Sequence, residues 1–398
     1  MIEIGFGLLI GSVVSLFSSL SFSFSFDLGK SFLSVCKRLG LMVTYGDEVA
    51  LPSINAQYAH PWGKRLLVGL PVGLSSQKVI DQKQALAEAL RVDPNDVEIR
   101  YNDGLIIDIF TAEMPAEVPY SQPPERESYR VLIGITRRGE LRYYDFDGPY
   151  PHLLIGGISG GGKSVMLRAI ITTLVTGPAP DMYLCDLKGG VELDIFRKLA
   201  SVKGFATTLQ DVRTVLASVE CEMLRRYEVM AANGSQKWAG KKAIFVVDEL
   251  ADFKTRAGDP DSKLKGEIKS ILTRLSAKGR AAGVLILLAT QRPSADIIDG
   301  LIKTNIAASI CFRTRDGTQS RIILDNTSAE ELPDVPGRLI FQTAYDETLQ
   351  APYLTVENAR KLIAELPMKE IKEAIRYVSD SKPDAGESFS LDRNFIEL

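Results

Sequence analysis

Short uninterrupted apolar runs recur through the chain at residues 152–156, 182–186, 243–248, 284–289 and 307–312, with helical patterns between several of them. Runs of that length suit strands buried on both faces of a sheet. Such strands alternating with longer helices predict a doubly wound α/β unit with a parallel sheet, beginning near Tyr129. In such units ligands bind beyond the carboxyl ends of the strands. Upstream the pattern changes. Residues 64–70 predict a strand, 77–90 a helix, and 97–101 with 104–109 a hairpin turning at Asn102-Asp103-Gly104. Together they read as a small α+β unit without a catalytic constellation. A proline-rich stretch at 115–124 then separates the two units. Beyond residue 354 the helical pattern is broken by Pro367, and a polar tail begins near Ser379.

The first residues stand apart. From Ile4 to Phe26 there is no charge, and 23 residues are enough to cross a bilayer as a tilted helix. Seven serines dilute the segment, and the Ser-Phe alternation over 21–26 has the period of a strand. A membrane anchor and an apolar segment packed against protein are therefore both open readings. Glu3, with no Lys or Arg before the apolar stretch, argues against a secretory signal. Lys30, Lys37 and Arg38 follow it, which for an anchor keeps the rest at the cytoplasmic face of the membrane. The expected division is a candidate anchor at 1–27, an α+β unit at 28–118, a linker at 119–128, the large α/β unit at 129–366, and a C-terminal helix and tail at 367–398.

Composition adds little but excludes much. Of 398 residues 45% are hydrophobic and 24% charged, which is ordinary for a globular protein. A net charge of −3 gives no general attraction to a polyanion, so nucleic-acid contact would need local basic groups or several copies around a strand. Four cysteines without C-x-x-C spacing and two histidines make a zinc site or a disulfide framework improbable. Cys185 and Cys311 sit in apolar runs and read as small buried hydrophobes.

The candidate chemistry begins at Gly157-Ile158-Ser159-Gly160-Gly161-Gly162-Lys163-Ser164-Val165, which contains the pattern G-x-x-x-x-G-K-[ST]. Glycines let a loop turn its backbone N–H groups toward a triphosphate. Lys163 is expected to reach the β- and γ-phosphates of ATP, and Ser164 to take a position on Mg2+. An apolar run precedes the loop and a helical one follows it, the context the motif requires. A bare glycine-rich turn is the weaker alternative.

About 80 residues further on, Ala243-Ile244-Phe245-Val246-Val247 ends in Asp248 and Glu249. A buried strand of this kind delivers Asp248 to hold Mg2+ through water and Glu249 to polarise the attacking water. The run at 284–289 ends in Thr290 and Gln291, where Gln291 is placed either to sense the γ-phosphate or merely to bond a loop. Lys188 follows another strand end, facing nucleotide or DNA, and Arg274, Lys278 and Arg280 form a basic stretch. DNA-phosphate contact and a solvated helix face explain that stretch equally well.

These motifs, together with Pro151-His152-Leu153-Leu154, Val246-Val247-Asp248-Glu249-Leu250-Ala251-Asp252, Leu288-Ala289-Thr290-Gln291-Arg292-Pro293-Ser294 and Gly300-Leu301-Ile302-Lys303-Thr304-Asn305-Ile306, resemble the FtsK/SpoIIIE family of DNA-pumping ATPases over roughly 150–345. The resemblance implies a RecA-like P-loop NTPase motor, hexameric rings and double-stranded DNA threaded through a central pore. The segment 316–325, DGTQSRIILD, resembles the family stretch that makes Arg321 the expected finger on a neighbouring subunit's ATP, with Arg313 and Arg315 as competitors. Full-length chromosome pumps of the family carry several membrane spans, a long linker and a C-terminal winged helix, none of which this pattern suggests. The expectation is therefore a compact translocase of the conjugative or mobile-element type, working with transfer-apparatus proteins. A chromosome-partitioning pump, a protein-secretion ATPase and a nucleotide-gated docking protein are the rival readings.

Overall fold

The computed structural model describes residues 28–255, 258–298 and 300–369. The candidate anchor at 1–27 and the tail from 370 onward lie outside the described residues. Among the described residues no helix is long and apolar enough to cross a membrane.

The first unit runs α1 (Leu28–Arg38), β1 (Val43–Tyr45), β2 (Glu48–Ala50), β3 (Ser53–His60), β4 (Gly63–Gly69), α2 (Ser76–Asp81), α3 (Lys83–Ala89), β5 (Val97–Tyr101) and β6 (Leu105–Phe110). Its four-stranded antiparallel sheet has the order β3-β4-β6-β5. Phe32, Cys36, Leu66, Val68, Leu86, Val97, Leu105 and Ile107 form its core. The single helix expected over 77–90 is two, because Gln82 closes α2 and opens α3. The hairpin turns where expected, with Asp103 and Gly104 at positive φ.

The second unit follows as β7 (Val118–Pro119), β8 (Arg130–Ile135), β9 (Leu141–Asp145), β10 (Leu153–Gly156), α4 (Lys163–Thr176), β11 (Asp181–Cys185), β12 (Val202–Ala206), α5 (Leu209–Ala232), β13 (Ala243–Val247), α6 (Ser262–Lys278), β14 (Val284–Thr290), α7 (Gly300–Asn305), β15 (Ala308–Phe312), α8 (Gly317–Leu324), β16 (Arg338–Gln342), β17 (Asp346–Gln350), β18 (Pro352–Tyr353) and α9 (Val356–Ile363). Ten strands make one sheet in the order β12-β11-β13-β14-β10-β15-β16-β17-β8-β9. The first six are parallel: the five expected from apolar runs and β12, which no such run marked. The remaining four extend it antiparallel.

Period-two alternation splits the parallel strands between two cores. Leu153, Ile155, Ile244, Val246, Leu285 and Leu287 face α4, where Met166, Leu167, Ile170, Ile171 and Leu174 are buried. Leu154, Phe245, Val247, Ile286 and Leu288 face the opposite layer with Val212, Leu216, Ile268, Leu272 and Ile323. Each fully buried aliphatic side chain contributes about 1.5–3 kcal/mol of transfer free energy. Cys185 and Cys311 lie in this core, and burial pushes both thiols up. The strand order matters most for chemistry. Because β14 lies between β10 and β13, three strand ends, at Gly156, Thr290 and Val247, open side by side.

An arginine hairpin joins the two units. Arg138, in the β8–β9 turn, donates to buried Asp108 on β6 at 3.0 and 2.8 Å, and Arg65 donates to the same carboxylate at 2.7 and 2.9 Å. Burial pushes the Asp108 pKa up, but the two guanidinium partners outweigh it and hold the carboxyl below its ordinary value. Arg137 stacks on Phe110, 4.6 Å from the ring centre, and donates to the Ala112 carbonyl.

Candidate functional site

The phosphate loop leaves β10 and enters α4. Gly157 has φ +141, and a Cβ there would lie 2.6 Å from Phe312 Cβ, so no other residue fits. Gly162 has φ +121, with Phe312 Cε1 2.9 Å from a would-be Cβ. It caps α4 without a side-chain hydrogen bond, which leaves the first amides of a 14-residue helix for an anion. The loop is tied down at both ends. Ile158 N donates to the Arg313 carbonyl at 3.0 Å, and Gly337 N donates to the Gly161 carbonyl at 2.9 Å. Ser159 and Gly160 are exposed at the tip, while Ser164 and Val165 begin the helix.

Lys163 is 3% exposed. Its Nζ donates to the Asp248 carbonyl at 2.6 Å and to Asp248 Oδ1 at 2.7 Å. Asp248 Oδ2 is buried and has no hydrogen-bond partner among the described residues, with Lys188 Nζ 3.7 Å away. An orphaned carboxylate oxygen costs free energy unless something fills its shell. Together with Ser164 on the first turn of α4, it fits Mg2+, which takes oxygen ligands and keeps several waters. Bound there, the ion would neutralise charge on the β- and γ-phosphates.

Glu249, 5% exposed, is fastened from three sides. Oε1 accepts from Thr290 Oγ1 at 2.8 Å, Gln291 N at 3.1 Å and Ala251 N at 3.3 Å. Oε2 accepts from Gln291 N at 3.1 Å and Lys188 Nζ at 3.2 Å. The end of β14 thus serves the acid on β13, an arrangement that follows from the strand order. Thr290 in this role was not assigned from sequence; the polar residue ending an apolar strand was the available signal.

Lys188 stands on the loop after β11. Partial burial pulls its ammonium down, but Asp248 and Glu249 outweigh that and its pKa lies above the ordinary lysine value. Asp186 shapes the loop, its carboxylate accepting from Lys188 N at 3.2 Å and from Glu192 N and Leu193 N at 2.9 Å each. The structure therefore puts Lys188 beside the nucleotide-site acids.

The other sequence candidates fall elsewhere. Arg274 is bound to Glu220 of α5 at 2.5 and 2.9 Å. Lys278 and Arg280 are exposed just before β14 begins, at the opposite end of the parallel strands from the phosphate loop. Arg321 is exposed on α8 and makes no ion pair among the described residues, whereas Arg313 pairs with Asp334 at 3.3 Å. Arg315 is exposed as well. Sequence reasoning missed Gln350 on β17, 2% exposed, whose Nε2 donates to the Pro336 and Ala116 carbonyls at 2.8 Å each. It braces Gly337, and so the phosphate loop, against the chain that leads to the first unit.

Fold and site together define a RecA-like P-loop NTPase, in which the glycine loop after β10, the acids after β13 and the end of β14 meet at the carboxyl ends of interior strands. Residues 121–245 match the model of the FtsK/SpoIIIE family, and the chain carries an FtsK/SpoIIIE family domain. It is 32% identical over 292 residues to the DNA translocase SpoIIIE of Bacillus subtilis (strain 168), covering 66% of this chain and 36% of that protein. It is 35% identical over 254 residues to the DNA translocase FtsK of Chlorobaculum tepidum, covering 57% and 30%. The chain thus spans about a third of the length of the curated relatives it matches. Among solved structures, the pCW3 conjugation coupling protein TcpA, in its monomer form with ATPγS, matches with a TM-score of 0.59 at 24% identity. That match covers 85% of this chain and 99% of TcpA. The cytoplasmic domain of the Type VII secretion ATPase EccC of Thermomonospora curvata matches with a TM-score of 0.52 at 24% identity, covering 65% and 33%. At that identity both show the fold alone.

Proposed function

We propose that this protein is an ATP-hydrolysing double-stranded DNA translocase that works as a homo-hexameric ring. The observation that carries the reading is the convergence of the phosphate loop, Asp248, Glu249 and the Thr290-Gln291 strand end in one crevice of an FtsK/SpoIIIE domain. In this reading the loop amides and Lys163 bind the phosphates, Asp248 and Ser164 hold Mg2+, and Glu249 aligns the attacking water. Gln291 stands at the γ-phosphate side of the same crevice. Arg321 reaches a neighbouring subunit's nucleotide, for which its exposure without an ion pair among the described residues is the support. Six copies supply enough DNA-phosphate contacts from a few cations each; of the exposed candidates, Arg274 is paired with Glu220, while Lys278 and Arg280 make no ion pair among the described residues.

We further propose a role in conjugative or mobile-element transfer, at the cytoplasmic face of the membrane and in contact with transfer-apparatus proteins. The support is architectural: a conjugation coupling protein is matched along 99% of its own chain and 85% of this one. The test is ATPase activity with and without long duplex DNA, run beside particle size, for wild type and Arg321→Ala. A DNA-stimulated assembly whose turnover, but not ATP binding, is lost in Arg321→Ala supports the reading; a rate and size indifferent to DNA oppose it.

A further inference from the structure

Both oxygens of Glu249 are engaged, and Oε2 has Lys188 Nζ as its only unshared donor, since the Gln291 N–H it also accepts is divided with Oε1. The Glu249 carboxylate accepts from Thr290 Oγ1, Gln291 N, Ala251 N and Lys188 Nζ at 2.8–3.3 Å. An acid that is to align a water needs one oxygen turned toward the γ-phosphate. Of its donors, Ala251 N and Gln291 N belong to the backbone and Thr290 is buried in the sheet. Lys188 differs from all three: its side chain is 38% exposed, so solvent and an incoming anion can reach it.

The loop that carries it is built to present this side chain and to let it leave. Asp186, with no exposure, fixes the near end through three backbone amides. Gly189 and Gly190 follow at φ +80 and +77, conformations that leave the chain after Lys188 free of side-chain constraint. Lys188 Nζ bridges Glu249 at 3.2 Å and Asp248 at 3.7 Å.

We propose that Lys188 is a positioning residue that holds Glu249 parked between turnovers, and that an incoming phosphate draws the ammonium away and frees the acid. That phosphate is either the γ-phosphate of bound ATP or a phosphate of the DNA backbone. The proposal rests on Glu249 being the hydrolytic acid of the proposed ATPase. Lys188 therefore acts through Glu249 and restrains hydrolysis rather than promoting it.

The test uses the full chain, with steady-state ATPase measured across ATP concentrations, with and without duplex DNA. Lys188→Met should raise the DNA-free kcat by roughly two- to fivefold, the scale of a partly exposed ion pair, with little change in KM for ATP. Lys188→Arg keeps the cation and should stay near wild type, which a merely structural role for the loop does not predict. If the gain comes with a smaller DNA stimulation ratio, DNA phosphate is the releasing anion; if the ratio is unchanged, the γ-phosphate is. A DNA-free kcat that is unchanged or lower in Lys188→Met overturns the proposal. Adding Glu249→Gln to Lys188→Met separates the two readings, since activity that survives it shows that the assignment of Glu249, not of Lys188, has failed.

Discussion

Lys163 Nζ lies 2.7 Å from Asp248 Oδ1 and 2.6 Å from the Asp248 carbonyl, with neither side chain more than 2% exposed. The contact bridges β10 and β13 across the intervening β14, so the phosphate loop and the acid strand brace each other before any phosphate arrives. Removing one member of a buried pair strands the other charge, at a cost of about 3–5 kcal/mol. Lys163→Ala should therefore lose ATP binding and also unfold at lower urea concentration without nucleotide. Adding Asp248→Asn should recover part of that loss. Additive effects of the two changes would show that the pair does not couple loop and strand.

Glu249→Gln should bind ATP as wild type does and lose about two to three orders of magnitude in kcat. The amide can keep Thr290 and Gln291 N on its carbonyl oxygen, so the strand end should keep its shape. Nucleotide affinity by equilibrium binding, beside turnover, checks this. A parallel loss of both would mean that Glu249 supports binding rather than the hydrolytic step.

His152 offers a pH test of the sheet. Its ring is buried at the start of β10, and Nδ1 accepts from Ile286 N on β14 at 3.1 Å, which requires a neutral ring. Burial pushes its pKa down to about 4. A depressed folded-state pKa means that this contribution is complete above the ordinary histidine value near 6.5 and is lost as pH falls toward 4. Between pH 7 and pH 5 urea unfolding should show a loss on the order of 2 kcal/mol. His152→Gln should flatten that slope; an equal loss in both proteins would assign it to other groups.

What the sequence made legible follows from local signals. Five of the six parallel strands announced themselves because strands buried on both faces need unbroken apolar runs, whereas Lys203 and Gly204 break β12; the glycine loop did so because its backbone conformations exclude side chains. Strands β16 and β17 did not, since Arg338, Gln342 and the polar residues of Asp346–Gln350 break any such run. In the site, Lys163, Asp248 and Glu249 were readable from spacing. The contacts of Thr290 and Lys188 with Glu249 depend on which strands are neighbours in the sheet, and no spacing encodes that order. Gln350 was invisible for a related reason: its partner Ala116 is distant in the chain.

The most direct test of the central claim is displacement of a third strand from a duplex by the wild-type protein, with ATP hydrolysis followed in the same reaction. An ATP-driven translocase should strip the triplex only when ATP is present, with an ATPase rate that rises on long duplex DNA, and Glu249→Gln should do neither. An intact triplex together with an ATPase rate unaltered by duplex DNA would contradict the account.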